Sequence, residues 1–65
     1  MRRFKTIEKE DVYTIEYDRL NRTYSVFIQC NRFRQQISKI YIKKGWAYRA
    51  LNKELNKTKI KIKEN

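Results

Sequence analysis

Apolar and polar side chains alternate in two neighbouring segments of the chain. In residues 12–18, Tyr, Ile and Tyr alternate with Thr, Glu and Asp, and in residues 23–31, Tyr, Val, Ile and Cys share one side of the alternation. A period of two places successive side chains on opposite faces of a sheet. Residues 18–22 lie between the segments and contain Asp and Asn, which favour turns. The pattern predicts an antiparallel hairpin.

A third strand is expected in residues 33–43, after a turn at Asn31 and Arg32. The face that carries the apolar residues changes along the segment, because Phe33 and Ile37 stand at odd positions and Ile40 and Ile42 at even positions. One extra residue in a strand produces such a change. A bulge near Ser38 and Lys39 therefore explains the pattern.

The period becomes helical from Gly45 onward. Apolar residues recur at spacings of three and four, at Ala47, Ala50, Leu51 and Leu55. Gly45 is an acceptable N-cap and Asn56 an acceptable terminator. Trp46 is expected to anchor the helix to the sheet, with stacking on a ligand as the alternative. The predicted fold is α+β, a small three-stranded antiparallel sheet packed on one C-terminal helix.

The two ends carry less regular patterns. Residues 1–11 turn from basic to acidic and are interpreted as an arm or a short turn of helix. Residues 57–65 form a Lys-rich tail, in which the Lys and Ile alternation over 58–63 favours a short extra edge strand, with a disordered basic tail as the alternative. The chain is thus interpreted as one domain, residues 1–65, with its core in residues 12–56.

Composition limits the chemistry. The chain has 65 residues, one Cys and no His, so neither an intrachain disulfide nor a metal site built from those residues is available. Cys30 is predicted to be a buried small hydrophobe, because it falls on the apolar face and no His activates it. No cofactor is expected, and the single Cys fits a reducing, cytoplasmic setting. Core burial at this length is small, so dimerisation or ordering on a partner stays open.

Positive charge is concentrated in the second half of the sequence. Residues 1–31 carry six basic and five acidic side chains, whereas residues 32–65 carry eleven basic and two acidic ones, or +9 of the net +10. Such asymmetry costs stability through self-repulsion, which favours a negatively charged partner that compensates it. The alternative is a soluble surface that is Lys-rich only through compositional bias. The pattern predicts a polyanion-binding protein, with nucleic acid as the first candidate.

The sheet face opposite the helix is the candidate contact surface. We expect it to be open and to present short polar side chains together with Phe27 and flanking arginines. Arginine and lysine neutralise phosphates, and Gln contacts base edges. The candidate nucleic-acid-binding residues of the sheet are Arg19, Arg22, Phe27, Gln29, Arg32, Arg34 and Gln36. Those of the following loop, the helix and the tail are Lys39, Lys43, Lys44, Arg49, Lys53, Lys59 and Lys61.

Residues 23–55, which read TYSVFIQCNRFRQQISKIYIKKGWAYRALNKEL, resemble a family of DNA-binding domains. These domains have a three-stranded sheet with a C-terminal helix on one face, and occur at the N-termini of tyrosine recombinases and in plant ethylene-response factors. The family inserts its open sheet into the DNA major groove. The resemblance implies contact roles for Phe27, Gln29, Arg32, Arg34 and Gln36.

A second resemblance is to double-stranded-RNA-binding folds, in which a Lys-rich loop opens the last helix as Lys43, Lys44 and Gly45 do here. Some small toxins with that fold cleave mRNA with a His, and this chain has no His. The carboxylates Glu8, Glu10 and Asp11 are better explained as balancing local basic charge than as proton-transfer groups. No catalytic residues are expected.

Two functional hypotheses follow from these observations. The first is a DNA-binding accessory or regulatory factor of a phage or mobile element, with DNA favoured over RNA. The second is a phage-type inhibitor whose basic surface occupies an acidic site on a host nuclease, CRISPR effector or polymerase. A membrane-surface role for residues 43–63 ranks last, because the helix lacks a broad apolar face.

Overall fold

Four antiparallel strands in chain order form the sheet, and one helix crosses one of its faces. The computed structural model describes the backbone of residues 2–64 and the side chains of residues 2–57. The elements are β1 (Phe4–Glu10), β2 (Tyr13–Asp18), β3 (Thr23–Cys30), β4 (Phe33–Gln36) and α1 (Lys44–Glu64). The strand order is β1-β2-β3-β4. The α+β class is confirmed, with four strands in the sheet where the sequence predicted three.

The core lies between the helix and the two central strands. Ile15 on β2 pairs with Val26 on β3, and both side chains are fully buried. Ala47 and Leu51 from α1 complete this cluster. The alternation in β2 and β3 and the helical spacing of Ala47 and Leu51 thus bury the side chains that the sequence indicated. We call this side of the sheet the helix face.

Backbone conformation fixes the three hairpin turns. Asp11, Arg22 and Asn31 have positive φ angles of 57°, 56° and 56°. Asp and Asn tolerate this left-handed conformation better than most non-glycine residues, because their short polar side chains bond locally. The predicted turn at Asn31 is therefore confirmed, and it joins β3 to β4.

The interpretation of residues 1–11 as an arm or a short helical turn is wrong, because Phe4–Glu10 forms β1 and pairs with β2. The register shifts between Thr6 and Glu8. Phe4 and Ile7 are three positions apart and lie on opposite faces of the strand, since Phe4 contacts Phe27 while Ile7 packs against the core. A strand whose two large apolar residues are three positions apart does not show the period of two.

β4 is shorter than the predicted third strand and ends at Gln36. The Ile37 amide still bonds the Val26 carbonyl. The chain then leaves the ladder at residues 38–40, where the sequence predicted a bulge, and returns in a single bridge between Tyr41 and Tyr24. Both backbone hydrogen bonds of that bridge measure 2.7 Å. Between these points Ser38 Oγ accepts a hydrogen bond of 2.8 Å from the Val26 amide. One side chain therefore replaces a backbone acceptor in the interrupted ladder.

α1 begins one residue before the predicted N-cap and continues to Glu64. The predicted terminator at Asn56 and the extra edge strand over residues 58–63 are therefore wrong. Extending an existing helix adds one backbone hydrogen bond for each residue fixed, and Lys is a good helix former. Alternating Lys and Ile is compatible with both structures, so the preceding helical turns decide the outcome.

Two side chains are more exposed than the sequence indicated. Cys30 is exposed, because it lies four residues beyond Val26, about 13 Å along the strand, where the helix no longer covers the sheet. Trp46 is 50% exposed and does not anchor the helix. Successive helical residues are about 100° apart, so Trp46 lies to one side when its neighbour Ala47 faces the core.

Candidate functional site

The face of the sheet opposite α1, which we call the helix-free face, is not the open polar surface that the sequence predicted. Its central side chains are buried, including Thr14, Glu16 and Ser25. Phe27 is only 9% exposed and is unavailable for stacking on a ligand. The ring of Phe4 on β1 packs edge-on against it, with the centroids 6.4 Å apart. The added strand β1 therefore covers a surface that a three-stranded sheet would expose.

Glu16 lies at the centre of the helix-free face. Its side chain is 3% exposed. Thr6 Oγ1 is within hydrogen-bonding distance of both carboxylate oxygens, at 2.9 and 2.7 Å. Arg34 Nη2 lies 3.6 Å from Oε1. The Arg34 side chain is 42% exposed, so the pair places a carboxylate inside the fold and a guanidinium at its surface.

A second acid and arginine pair repeats this arrangement one pleat away. Arg3 Nε and Nη2 each donate a 3.0 Å hydrogen bond to a different oxygen of Asp18. The Leu20 amide also donates to this carboxylate, at 3.0 Å. The hydrogen bond from Arg3 is the main cause that lowers the pKa of Asp18 to about 2 and raises that of Arg3. Asp18 thus stays ionised and fixes the Arg3 guanidinium.

An aromatic ring also contacts each of these two guanidinium groups. Arg34 Cζ lies 4.3 Å from the Phe27 ring centroid, and Arg3 Cζ lies 5.1 Å from that of Phe4. Planar guanidinium groups stack well on such rings. Each arginine is therefore oriented by one carboxylate and one ring before any ligand binds.

Arg3 and Arg34 line a groove with a volume of about 780 Å³, which we call the arginine groove. Its lining residues are Arg2, Arg3, Phe4, Lys5, Thr6, Glu16, Arg19, Gln29 and Arg34. Five of them are cationic and one is acidic, and the acidic one is buried. The groove therefore presents positive charge and N–H donors to the solvent.

The structure distributes the sequence-predicted residues over several surfaces. Arg19, Gln29 and Arg34 come together in the arginine groove. Gln36 donates a 2.7 Å hydrogen bond to the Ser38 carbonyl. Arg22 and Arg32 lie in the turns that precede and follow β3. These two arginines are exposed but do not line the groove.

The remaining predicted residues belong to the helix side of the molecule. Lys39, Arg49 and Lys53 line a second groove, beside Trp46. Lys43 Nζ lies 6.0 Å from the Trp46 ring centroid, and Lys44 Nζ lies 5.7 Å from that of Tyr48. The side chains of Lys59 and Lys61 fall outside the described residues.

Sequence reasoning missed the contribution of β1, which supplies Phe4, Lys5 and Thr6 and follows Arg2 and Arg3. Arg2 and Arg3 are evident in the sequence. Their composition does not distinguish a basic arm from a basic residue pair at the edge of a sheet, so their position stayed unassigned. Only the pairing of β1 with β2 places them on the side of the sheet that bears Asp18 and Glu16.

The described part of the chain lacks a metal-binding cluster and a membrane-spanning helix. Among those residues, no group of three or more His, Cys, Asp or Glu side chains is arranged to hold a metal ion. Over the same residues, no helix reaches the length and apolarity required to traverse a bilayer.

Neither a protein-family model, nor a curated protein, nor a solved structure matches this chain. The resemblances noted in the sequence therefore stay predictions. The function has to be argued from the geometry of the grooves.

Proposed function

We propose that the protein binds nucleic acid, with duplex DNA as the favoured ligand and the arginine groove as the main contact surface. The observation that carries this proposal is the placement of acids and arginines. Asp18 and Glu16 have side chains 9% and 3% exposed, whereas those of Arg3 and Arg34 are 50% and 42% exposed. A ligand approaching this face meets the arginines before the acids.

The arginines are held in place but keep donors for a ligand. A guanidinium has five N–H donors, and Arg3 directs two of its nitrogens to Asp18. The remaining donors are available to a phosphate oxygen, and a guanidinium matches phosphate geometry well. Because its orientation is fixed in the free protein, less side-chain entropy is lost on binding.

Recognition through this surface is expected to depend on phosphates more than on bases. Phosphate contacts position a protein on DNA and carry no sequence information, whereas base edges are read in the grooves. Phe27 is buried, and Arg34 stacks over it. Gln29 is exposed and lines the groove, which leaves it as the candidate base-edge contact. The proposal assigns no catalytic step.

The test removes charge from the groove without disturbing the internal pairs. Arg2 and Arg19 line the groove and are exposed, so Arg2→Gln with Arg19→Gln preserves the contacts of Arg3 and Arg34. The control, Lys9→Gln with Arg32→Gln, removes the same charge at the opposite end of the sheet. Fluorescence anisotropy with duplex DNA at roughly 50 to 200 mM salt measures the affinity of each pair.

The slope of log affinity against log salt distinguishes the surfaces. Each lost phosphate contact lowers the slope by about 1, so the groove pair is expected to lower it by about 2. The control pair is expected to retain the wild-type slope. Equal effects of the two pairs would show that the groove has no special role, and weak salt-insensitive binding by the wild type would overturn the proposal.

A protein-binding inhibitor is the second candidate, and exposed apolar side chains favour it. Phe33, Ile40 and Ile42 are 55%, 64% and 75% exposed. Exposed apolar side chains that together form a patch mark sites where proteins contact proteins. This candidate predicts weak DNA binding together with a stoichiometric acidic partner, recovered from host lysate by the wild type and lost with Ile40→Ser and Ile42→Ser.

A further inference from the structure

A second groove lies between α1 and the irregular segment that follows β4. It has a volume of about 540 Å³ and combines aromatic and cationic side chains. We call it the tryptophan groove and define it by Tyr41 and Trp46 together with Lys39, Arg49, Lys53 and Lys57. Among the described lining residues the acidic one is Glu54, and its carboxylate lies 3.5 Å from Lys57 Nζ. The groove therefore has excess positive charge beside two aromatic rings.

Both walls of this groove are attached to the core. On the helix, Trp46, Arg49 and Lys53 are separated by three and four residues and so lie along one side of α1, while Ala47 and Leu51 face the sheet. The opposite wall is tied to β3 by the Tyr41 bridge and by a 2.9 Å hydrogen bond from the Ile37 amide to the Val26 carbonyl. The groove is therefore a feature of the folded domain.

Trp46 is the side chain that distinguishes this surface. Half of its surface is exposed, although a large aromatic side chain stabilises the fold most when it is buried. It does not belong to the core cluster or to the side chains packed against it. An exposed indole next to cations is suited to a ligand that has both a flat apolar ring and negative charge.

We propose that the tryptophan groove binds single-stranded nucleic acid, with an unpaired base stacked on Trp46 and the adjoining phosphates held by Arg49 and Lys53. Base stacking on aromatic side chains beside a basic track is the usual mode of sequence-tolerant single-strand binding. A duplex keeps its base faces stacked internally, so it does not offer this contact. The inference rests on the proposed nucleic-acid binding, but it concerns a different surface and a different form of the ligand.

The fluorescence of Trp46 tests the proposal directly, because it is the only tryptophan in the chain. A single-stranded oligothymidylate titrated into the full-length protein is expected to quench this fluorescence to saturation. Arg49→Gln with Lys53→Gln is expected to weaken the quenching titration and to lower its salt slope by about 1.4, as two lost contacts predict for a single strand. A duplex of equal length is expected to bind without comparable quenching.

Trp46→Ala tests the stacking contact by anisotropy with the labelled single strand. A loss of about 10-fold in affinity is expected from one stacked base, and Trp46→Phe is expected to restore part of it. Phe33→Ala is the matched control, since Phe33 is also an exposed aromatic, 55% exposed, but lies outside the groove. An equal loss with Phe33→Ala would contradict the assignment.

The outcomes separate this inference from the proposed function. If Arg2→Gln with Arg19→Gln weakens duplex binding while quenching by the single strand is unchanged, the two surfaces act independently, as proposed. If the wild type binds the single strand without quenching and Trp46→Ala has no effect, the tryptophan groove assignment is wrong even when duplex binding stands. Equal quenching by polyglutamate, or by raising the protein concentration alone, would assign the groove to an acidic polypeptide or to a second copy.

Discussion

The guanidinium carbon of Arg34 lies 4.3 Å from the centroid of the Phe27 ring. The same guanidinium lies 3.6 Å from Glu16, so Arg34 covers the ring and faces a buried carboxylate at once. A cation over an aromatic face contributes about 0.5 to 1 kcal/mol at a partly exposed site. This contact makes Arg34 part of the fold as well as part of the arginine groove.

A double-mutant cycle isolates the ring contact. Arg34→Gln, Phe27→Leu and the double variant are expected to give a coupling free energy of about 0.5 to 1 kcal/mol in urea unfolding. Arg34→Gln removes the Glu16 contact both in the wild type and in Phe27→Leu, so this loss cancels in the coupling free energy. The control cycle pairs Arg34→Gln with the exposed, distant Leu20→Ala and is expected to be additive within about 0.5 kcal/mol. Additivity in the first cycle would contradict the contact.

Ser38 is predicted to stabilise the interrupted edge of β3. Its hydroxyl accepts a 2.8 Å hydrogen bond from the Val26 amide and donates one of 2.8 Å to the Lys39 carbonyl. Ser38→Ala leaves a part-buried amide without its acceptor, which costs about 1 to 3 kcal/mol. Ser38→Thr keeps the hydroxyl and is expected to retain most of this stability. Urea unfolding measures the loss in the free energy of unfolding. Faster hydrogen exchange at the Val26 amide in Ser38→Ala, but not in Ser38→Thr, would show that the loss arises at this hydrogen bond.

The β2 and β3 hairpin and the start of the helix could be predicted because their periods are regular. Tyr13 to Asp18 alternates without interruption, and Ala47 and Leu51 have helical spacing. β1 could not be predicted in this way, because its two large apolar residues, Phe4 and Ile7, lie on opposite faces and neither face shows an apolar repeat. The end of α1 was missed for a different reason. The alternating Lys and Ile residues after Asn56 are compatible with a strand or a helix. They continue α1 because extending an existing helix is easier than starting a new element.

The candidate site could be predicted only in part. Charge identified Arg19 and Arg34, since a count of basic residues needs no knowledge of strand pairing. The burial of Phe27 and the placement of Arg3 beside Asp18 depend on which strands neighbour β2 and β3. The alternation within β2 shows which of its side chains share a face, but it does not show which strand lies beside it. The solvent exposure of the side chains was therefore the least predictable property of the site.

Asp18 makes stability depend on acidity. Its pKa is held at about 2 in the folded protein, below its ordinary value of 3.8, mainly by the hydrogen bond from Arg3. The folded protein thus binds this proton less tightly than the unfolded chain does, so the stabilisation is present above about pH 3.8 and is lost as the pH falls towards 2.

Removing this carboxylate should remove that part of the pH dependence. Asp18→Asn is expected to lower the free energy of unfolding at neutral pH and to flatten its decline below about pH 3.8. Asp11→Asn is the matched control, because Asp11 is exposed in a turn with φ of 57°, which Asn also adopts. Urea unfolding across this pH range compares the two. A decline that persists unchanged in Asp18→Asn would show that other groups cause it.

Leu51 determines whether the helix stays on the sheet. It is 2% exposed and belongs to the cluster of Ile15, Val26 and Ala47. Leu51→Ala is expected to cost about 2 to 5 kcal/mol, which is comparable with the total stability of about 3 to 5 kcal/mol for a core of this size. Loss of the cooperative unfolding transition is therefore the expected result, because α1 has no other fully buried large side chain among those described.

Two further variants keep this prediction testable if Leu51→Ala does not fold. Leu51→Met nearly conserves volume and is expected to cost less than about 1.5 kcal/mol, leaving a transition that can be measured. Leu20→Ala removes the same atoms from a side chain that is 72% exposed, and its effect is expected to stay within about 0.5 kcal/mol. Circular dichroism during urea unfolding measures all three variants. Equal losses for Leu51→Ala and Leu20→Ala would mean that the helix does not depend on this contact, since of these two leucines only Leu51 lies between α1 and the sheet.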